Sequence, residues 1–175
     1  ADGASPVHPY LRFAFRGIAD MSRLPQSVLF CCDHNAVRSP MAEGLMKKFY
    51  GHETYVQSAG VLADMDVDGF AIAVCAELGI ELARHKTRSF DEMQKLGDEL
   101  SSFDLIVALS PASQREAEEI TRFYALQVEY WPIMDPTATG ESRDQKLDAY
   151  RQARDQIIER LIAKFGPPKE SISAP

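Results

Sequence analysis

The stretch from Ser27 to Leu45, SVLFCCDHNAVRSPMAEGL, constrains this chain more than any other. Val28, Leu29 and Phe30 form a short apolar run of the kind that becomes a buried strand, and the strand reading carries on to Cys32. Arg38 follows after five intervening residues, and Ser39 and Pro40 then open a helical pattern, with Ser39 the expected N-cap and Pro40 the first helical residue. A strand that delivers a cysteine into a short loop, closed by an arginine at a helix start, builds an oxyanion pocket around a thiolate. The loop's backbone N–H groups can converge on a phosphate, and the helix adds its positive end. The same field favours a thiolate over a thiol, which makes Cys32 the candidate nucleophile. Arg38 offers a planar fork for two oxygens of a tetrahedral anion.

The spacing alone is a weak signal; the strand before it, the helix after it and Asn35 inside the loop give it weight. Further along, apolar runs predict strands over Ser27–Cys32, Thr54–Ser58, Asp104–Leu109 and Gln127–Trp131. Helical patterns separate them. The first buries Met41, Leu45 and Phe49 and stops at Gly51; the second, Val67–Leu78, turns Phe70, Val74 and Leu78 inward. Helical stretches are also expected over Phe90–Leu100 and Pro111–Arg122. The last helix opens with a capping box, Ser142 with Gln145, and carries a stripe of Leu147, Tyr150, Ile157, Leu161 and Phe165 before Gly166-Pro167-Pro168. Strands alternating with helices predict a four-stranded parallel sheet in a three-layer α/β/α sandwich. Ligands of such open sheets sit beyond the carboxyl ends of the strands, where Cys32 and Asp135 both fall.

At 175 residues a single domain is expected, with residues 27–166 as its body and 167–175 as a tail. Residues 1–26 read as an N-terminal extension. Its Tyr10, Phe13 and Phe15 are interrupted by Arg12 and Arg16, so no secretory apolar core forms. Met21 is a candidate natural start; packing of the aromatics on the domain or a partner, and a transit peptide, are the other readings. A net charge of −7 argues against nucleic-acid binding, and no apolar run is long enough for a membrane helix. Three cysteines without framework spacing fit a reducing compartment, so a cytoplasmic enzyme is expected. Cys31 should face the opposite side of its strand and Cys75 the inward side of its helix, both as core residues. His8, His34, His52 and His85 have no metal-ligand spacing, so neither metal nor cofactor is expected, and activity should survive chelators.

The segment CDHNAVRSPMAE resembles the signature of the low-molecular-weight protein tyrosine phosphatases, C-x-G-N-x-x-R-S-P-x-A-E. The resemblance continues through Ser58-Ala59-Gly60, Gly79-Ile80, His85-Lys86, Phe103–Ala108 and Asp135-Pro136, in the family's order. It implies the phosphotyrosine protein phosphatase I-like form of the sandwich and a cysteine-dependent hydrolase working through a phospho-cysteine. By that resemblance Cys32 attacks phosphorus. Asp33, His34, Asn35, Ala36, Val37, Arg38 and Ser39 form the phosphate loop, Arg38 clamps the anion, and Ser39 donates to the sulfur. Asn35 takes the left-handed conformation that suits its short polar side chain. Ser58 and His85 match positions that brace Asn35; read from the residues alone, each is equally a strand-end serine and a loop histidine. Asp135 resembles the general acid that protonates the leaving oxygen and then activates water. The implied substrate is a phosphorylated protein or a small phosphoester.

Three departures from the pattern bear on function. Asp33 and His34 stand where the family has an uncharged residue and glycine, and a carboxylate there opposes both thiolate and phosphate unless it points to solvent or pairs with a cation. A protonated His34 would offset it. Thr137 and Ala138 follow Asp135-Pro136 where eukaryotic members place tyrosine, and Ser110 follows Leu109 where Met-Asp is usual. Arsenate reductases share this fold and loop, and the DPTATGE run of residues 135–141 is similar to theirs. The segment 109–122 lacks the resolving cysteines of thioredoxin-coupled members, which leaves coupling to a small thiol as the alternative. A phosphate-binding module without turnover is the third reading.

Overall fold

The computed structural model describes residues 24–51 and 53–168; the expected N-terminal extension up to residue 23, His52 and the tail from residue 169 lie outside them. The apolar run forms β1, Ser27–Cys32, whose residues from Val28 to Cys31 are completely buried. A strand covered on both faces reads as a continuous apolar run because the parallel sheet has helices on either side. The other strands are β2 (Tyr55–Gly60), β3 (Leu105–Ala108) and β4 (Gln127–Tyr130). They pair in the order β2-β1-β3-β4, all parallel, with β1 central. Cys32 pairs with Gly60 and Cys31 with Ala108, so the carboxyl ends of three strands share one rim.

Alternate residues of β1 divide the core into two layers. Val28, Phe30 and Cys32 face α1 (Arg38–Tyr50), α2 (Gly69–Ala76) and α5 (Arg143–Phe165). Leu29 and Cys31 face the side covered by α3 (Phe90–Lys95) and α4 (Pro111–Thr121). This is the expected three-layer sandwich. Each large side chain fully buried this way, such as Phe30, Phe49 or Ile157, contributes about 1.5–3 kcal/mol relative to exposure.

Several boundaries differ from the sequence reading, each for a local reason. α1 begins at Arg38, with Val37 as N-cap and no side-chain cap, so Ser39 lies inside the first turn. α2 starts two residues later than expected because Asp68 caps it, accepting from the N–H groups of Phe70 and Ala71. The expected Phe90–Leu100 helix stops at Lys95; Gly97 turns left-handed at φ 90° and a single 3₁₀ turn follows at Leu100–Ser102. β2 runs on to Gly60 because that residue pairs with Cys32 and bridges Ser89. The capping box of Ser142 and Gln145 is present, and the stripe from Tyr150 to Phe165 is buried, with Leu147 packed at its edge. Ser110, the third departure from the family pattern, caps α4 in a reciprocal box with Ser113.

Candidate active site

Between β1 and α1 the chain makes a tight loop whose carbonyls are fastened outward. The Cys32 carbonyl accepts from Val61 N–H (3.1 Å), that of Asp33 from Leu62 N–H (2.9 Å) and that of Ala36 from Asp68 N–H (2.9 Å). No described peptide bond is cis. In a trans peptide the N–H points opposite the carbonyl, so the amides of Asp33, His34 and Val37 turn toward the inside of the loop. Their donors meet the N-terminus of α1 there, which makes the loop interior an anion cradle.

Asn35 holds the loop in this shape. It is fully buried and is the single described residue other than glycine with a positive φ, 52°. The backbone N–H of Arg88 donates to its Oδ1 (3.0 Å), which fixes the orientation of the amide. Nδ2 therefore donates both its hydrogens, to Ser39 Oγ and Ser58 Oγ (2.9 Å each). His85 Nε2, 3.0 Å from Oδ1, can only be a donor, which sets the ring's tautomer. Burial lowers the His85 pKa below the ordinary imidazole value and outweighs the nearby Glu43 carboxylate, so the ring is neutral in neutral solution. All four hydrogen-bonding positions of Asn35 are thus filled. Ser58 and His85 stand where the bracing roles require them.

Ser39 Oγ accepts from Asn35 and has two acceptors for its own proton, Cys32 Sγ at 3.0 Å and the more distant Ala59 carbonyl at 3.4 Å; the Ser39 N–H points to the sulfur at 3.4 Å. Of the two roles expected of this hydroxyl, helix cap and partner of the sulfur, it takes the second, and Val37 stands at the N-cap. Cys32 is 2% exposed and lies at the base of a pocket of about 130 Å³ lined by Asp33, His34, Ala36, Val37, Arg38, Met65, Asp135 and Thr137.

Arg38 is 6% exposed, with its guanidinium held from three sides. Nη1 donates to the Ile133 carbonyl (3.2 Å); Nη2 lies 3.4 Å from Asp33 Oδ2 and 3.9 Å from Asp135 Oδ2. Asp33 thus has the cation that its position demanded. His34 does not offset it, because its Nδ1 is bound to Asp64 at 2.7 Å. Asp135 takes the Thr137 N–H (3.1 Å) and hydroxyl (2.8 Å) on Oδ1. Burial pushes its carboxyl pKa up, but the Thr137 hydrogen bonds and the Arg38 charge together bring it below the ordinary aspartate value. The other two cysteines are buried free thiols, Cys31 on the opposite face of β1 and Cys75 on the inward side of α2, in the same core layer as Cys32. Burial drives both thiols upward, Cys75 to about 12 and Cys31 further.

Three contributors were given no role by the sequence reading, although Glu43 and Gly60 lie within its motifs. Glu43 accepts from Ser58 Oγ (2.9 Å) and pairs with Lys47, extending the Asn35 network to the surface. Arg88 binds Asn35, the Ser58 carbonyl, Gln57 and Asp98 at once. Gly60 lies directly under the loop: a Cβ there would sit 2.5 Å from the Leu62 carbonyl oxygen, 2.7 Å from Asn35 N and 2.8 Å from His34 C. All three are backbone atoms, so Gly60→Ala must displace the cradle itself. The expected result is a loss of about 1–3 kcal/mol in denaturant stability, with turnover reduced by about 10²-fold. A variant as active as the wild type would mean that the loop is less tightly seated than this packing requires.

The low-molecular-weight phosphotyrosine protein phosphatase family model matches residues 27–169. The arsenate reductase of Halalkalibacterium halodurans is 29% identical over 141 residues, covering 77% of this chain and 91% of that relative. Among solved structures, an arsenate reductase from Archaeoglobus fulgidus is 30% identical with a TM-score of 0.59, covering 79% of this chain and 98% of its own. YwlE from Bacillus subtilis, described as an arginine phosphatase, is 25% identical with a TM-score of 0.62 over 81% of this chain and 96% of its own. The match spans the sheet, the loop and the segment bearing Asp135, and on it this chain belongs to the low-molecular-weight phosphotyrosine protein phosphatase family.

Proposed function

We propose that this protein is a cysteine-dependent phosphomonoester hydrolase. The observation that carries the reading is the single pocket in which a serine-bonded Cys32, the Arg38 guanidinium and the Asp135 carboxylate meet. Cys32 sulfur attacks phosphorus as the P–O bond to the leaving group breaks. The inward amides and Arg38 hold the equatorial oxygens as charge redistributes. Asp135 gives its proton to the departing oxygen, then takes one from the water that cleaves the S–P bond. Ser39 stabilises the sulfur as it leaves in that second step. Among the described residues no phenylalanine, tyrosine or tryptophan lines the pocket; Thr137 and Met65 form its walls, which suits small phosphoesters as well as phosphorylated protein.

Arsenate reduction coupled to a small thiol is the second reading, favoured by the names of the curated relatives. Cys32 would condense with arsenate, losing water. An external thiol would then attack the Cys32 sulfur, forming a mixed disulfide as arsenic leaves, reduced by two electrons, as arsenite. The burial of Cys31 and Cys75 supports an external rather than an internal thiol in that scheme. Hydrolysis of para-nitrophenyl phosphate and arsenate-dependent oxidation of a small thiol, run in parallel, separate the two. Hydrolysis with no thiol oxidation is expected; the reverse pattern would make the reductase the correct assignment, and neither activity would leave an anion-binding module.

A further inference from the structure

Asp33 contributes a carboxylate to a pocket otherwise built to attract anions. Its Oδ2 rests on Arg38 Nη2 at 3.4 Å, while its Oδ1 is buried and has no hydrogen-bond donor among the described residues. The side chain is 38% exposed and lines the same pocket as Cys32. When a tetrahedral anion takes the Arg38 fork, an anion oxygen and Asp33 Oδ2 come to share one guanidinium nitrogen. Both are acceptors. The charged groups around them are Asp135, 3.9 Å from that same nitrogen, and Arg38 itself; His34 is engaged by Asp64. Among the described residues nothing that faces Asp33 in the pocket brings it a second donor, which leaves the ligand to bring one.

We infer that Asp33 is a specificity residue that selects tetrahedral oxyanions carrying a proton, such as hydrogen phosphate, hydrogen arsenate or the monoanion of a phosphomonoester, and rejects fully ionised ones such as sulfate. The O–H of a protonated oxyanion donates to Asp33, turning a repulsive pair of acceptors into a hydrogen bond. Sulfate has almost the same size and, as a dianion, the same charge as hydrogen phosphate, but it has no proton to give. Sites that hydrogen-bond a substrate hydroxyl reject analogues lacking it strongly when the partner is buried, up to about 10⁴–10⁵-fold. Asp33 is only partly buried, so about 100-fold is the expected discrimination here. The inference rests on the loop being an anion site, and holds for hydrolase and reductase alike.

The test is calorimetric binding of inorganic phosphate and of sulfate, at one neutral pH, to the wild type, Asp33→Asn and Asp33→Ser. The wild type should bind sulfate about 100-fold more weakly than phosphate. Both variants should narrow that ratio to within about threefold, chiefly by gaining sulfate, because asparagine and serine each offer a donor of their own. Equal binding of the two anions by the wild type would overturn the inference while leaving the anion site standing. A ratio unchanged in both variants would remove Asp33 from the role. Failure of the wild type to bind either anion would overturn the anion site itself, and this inference with it.

Discussion

Replacing Cys32 by serine is expected to abolish turnover while leaving anion binding in place. A serine hydroxyl does not ionise near neutral pH, and its hydrogen-bonding neighbours among the described residues are the Ser39 hydroxyl and N–H, neither of them a general base. The loss should be about 10⁴-fold or more, the scale on which removal of an enzymic nucleophile acts. Phosphate should still bind, since the inward amides and Arg38 are untouched and the smaller oxygen fits the space left by sulfur. Steady-state hydrolysis paired with phosphate calorimetry reads both effects. Loss of binding along with turnover would mean that the thiol organises the loop and that its chemistry has not been isolated.

Asp135→Asn should cost about 10²–10³-fold in kcat on an alkyl phosphate and much less on para-nitrophenyl phosphate, whose leaving group needs little protonation. The pH dependence gives a sharper check. In the free enzyme Thr137 and Arg38, against the opposing effect of burial, hold the Asp135 pKa below the ordinary aspartate value. A general acid must carry its proton, so kcat/KM falls as pH rises above that depressed value. A bound phosphoryl monoanion adds negative charge beside the carboxylate and raises its pKa. Because kcat/KM reports the free enzyme and kcat the complex, the alkaline fall of kcat should lie at higher pH than that of kcat/KM. Asp135→Asn should flatten both limbs. Unchanged limbs in that variant would assign the acid to another residue.

What the sequence revealed and what it hid divide along one physical line. β1, the helix after it and the loop between them are set by contiguous residues, so the run of Val28, Leu29 and Phe30 and the spacing of Met41, Leu45 and Phe49 were legible directly. The capping box at Ser142 was legible for the same reason. The residue pattern makes Ser39 a cap and the family resemblance makes it a donor to the sulfur; its hydroxyl lies against Cys32 and Asn35, a competition that the cap pattern by itself does not reveal. Gly60, Glu43 and Arg88 act only because β2 and the segment after His85 come to lie under the loop. Glu43 and Gly60 lie inside the quoted motifs, but no local pattern shows what they touch, and none marks Arg88. The charge of Asp33 was plain in the sequence, but its pairing with Arg38, five residues on, depended on the turn that Asn35 imposes.

The central claim is that Cys32 forms a covalent bond to the anion it attacks. It is tested most directly by mixing the enzyme with para-nitrophenyl phosphate, quenching in acid within a single turnover, and mapping the phosphoryl group by tandem mass spectrometry. One phosphoryl group on Cys32, absent from its neighbour Cys31 and from the Cys32→Ser protein, is the predicted result. Turnover without any phospho-cysteine, or a phosphoryl group trapped on another side chain, would contradict it.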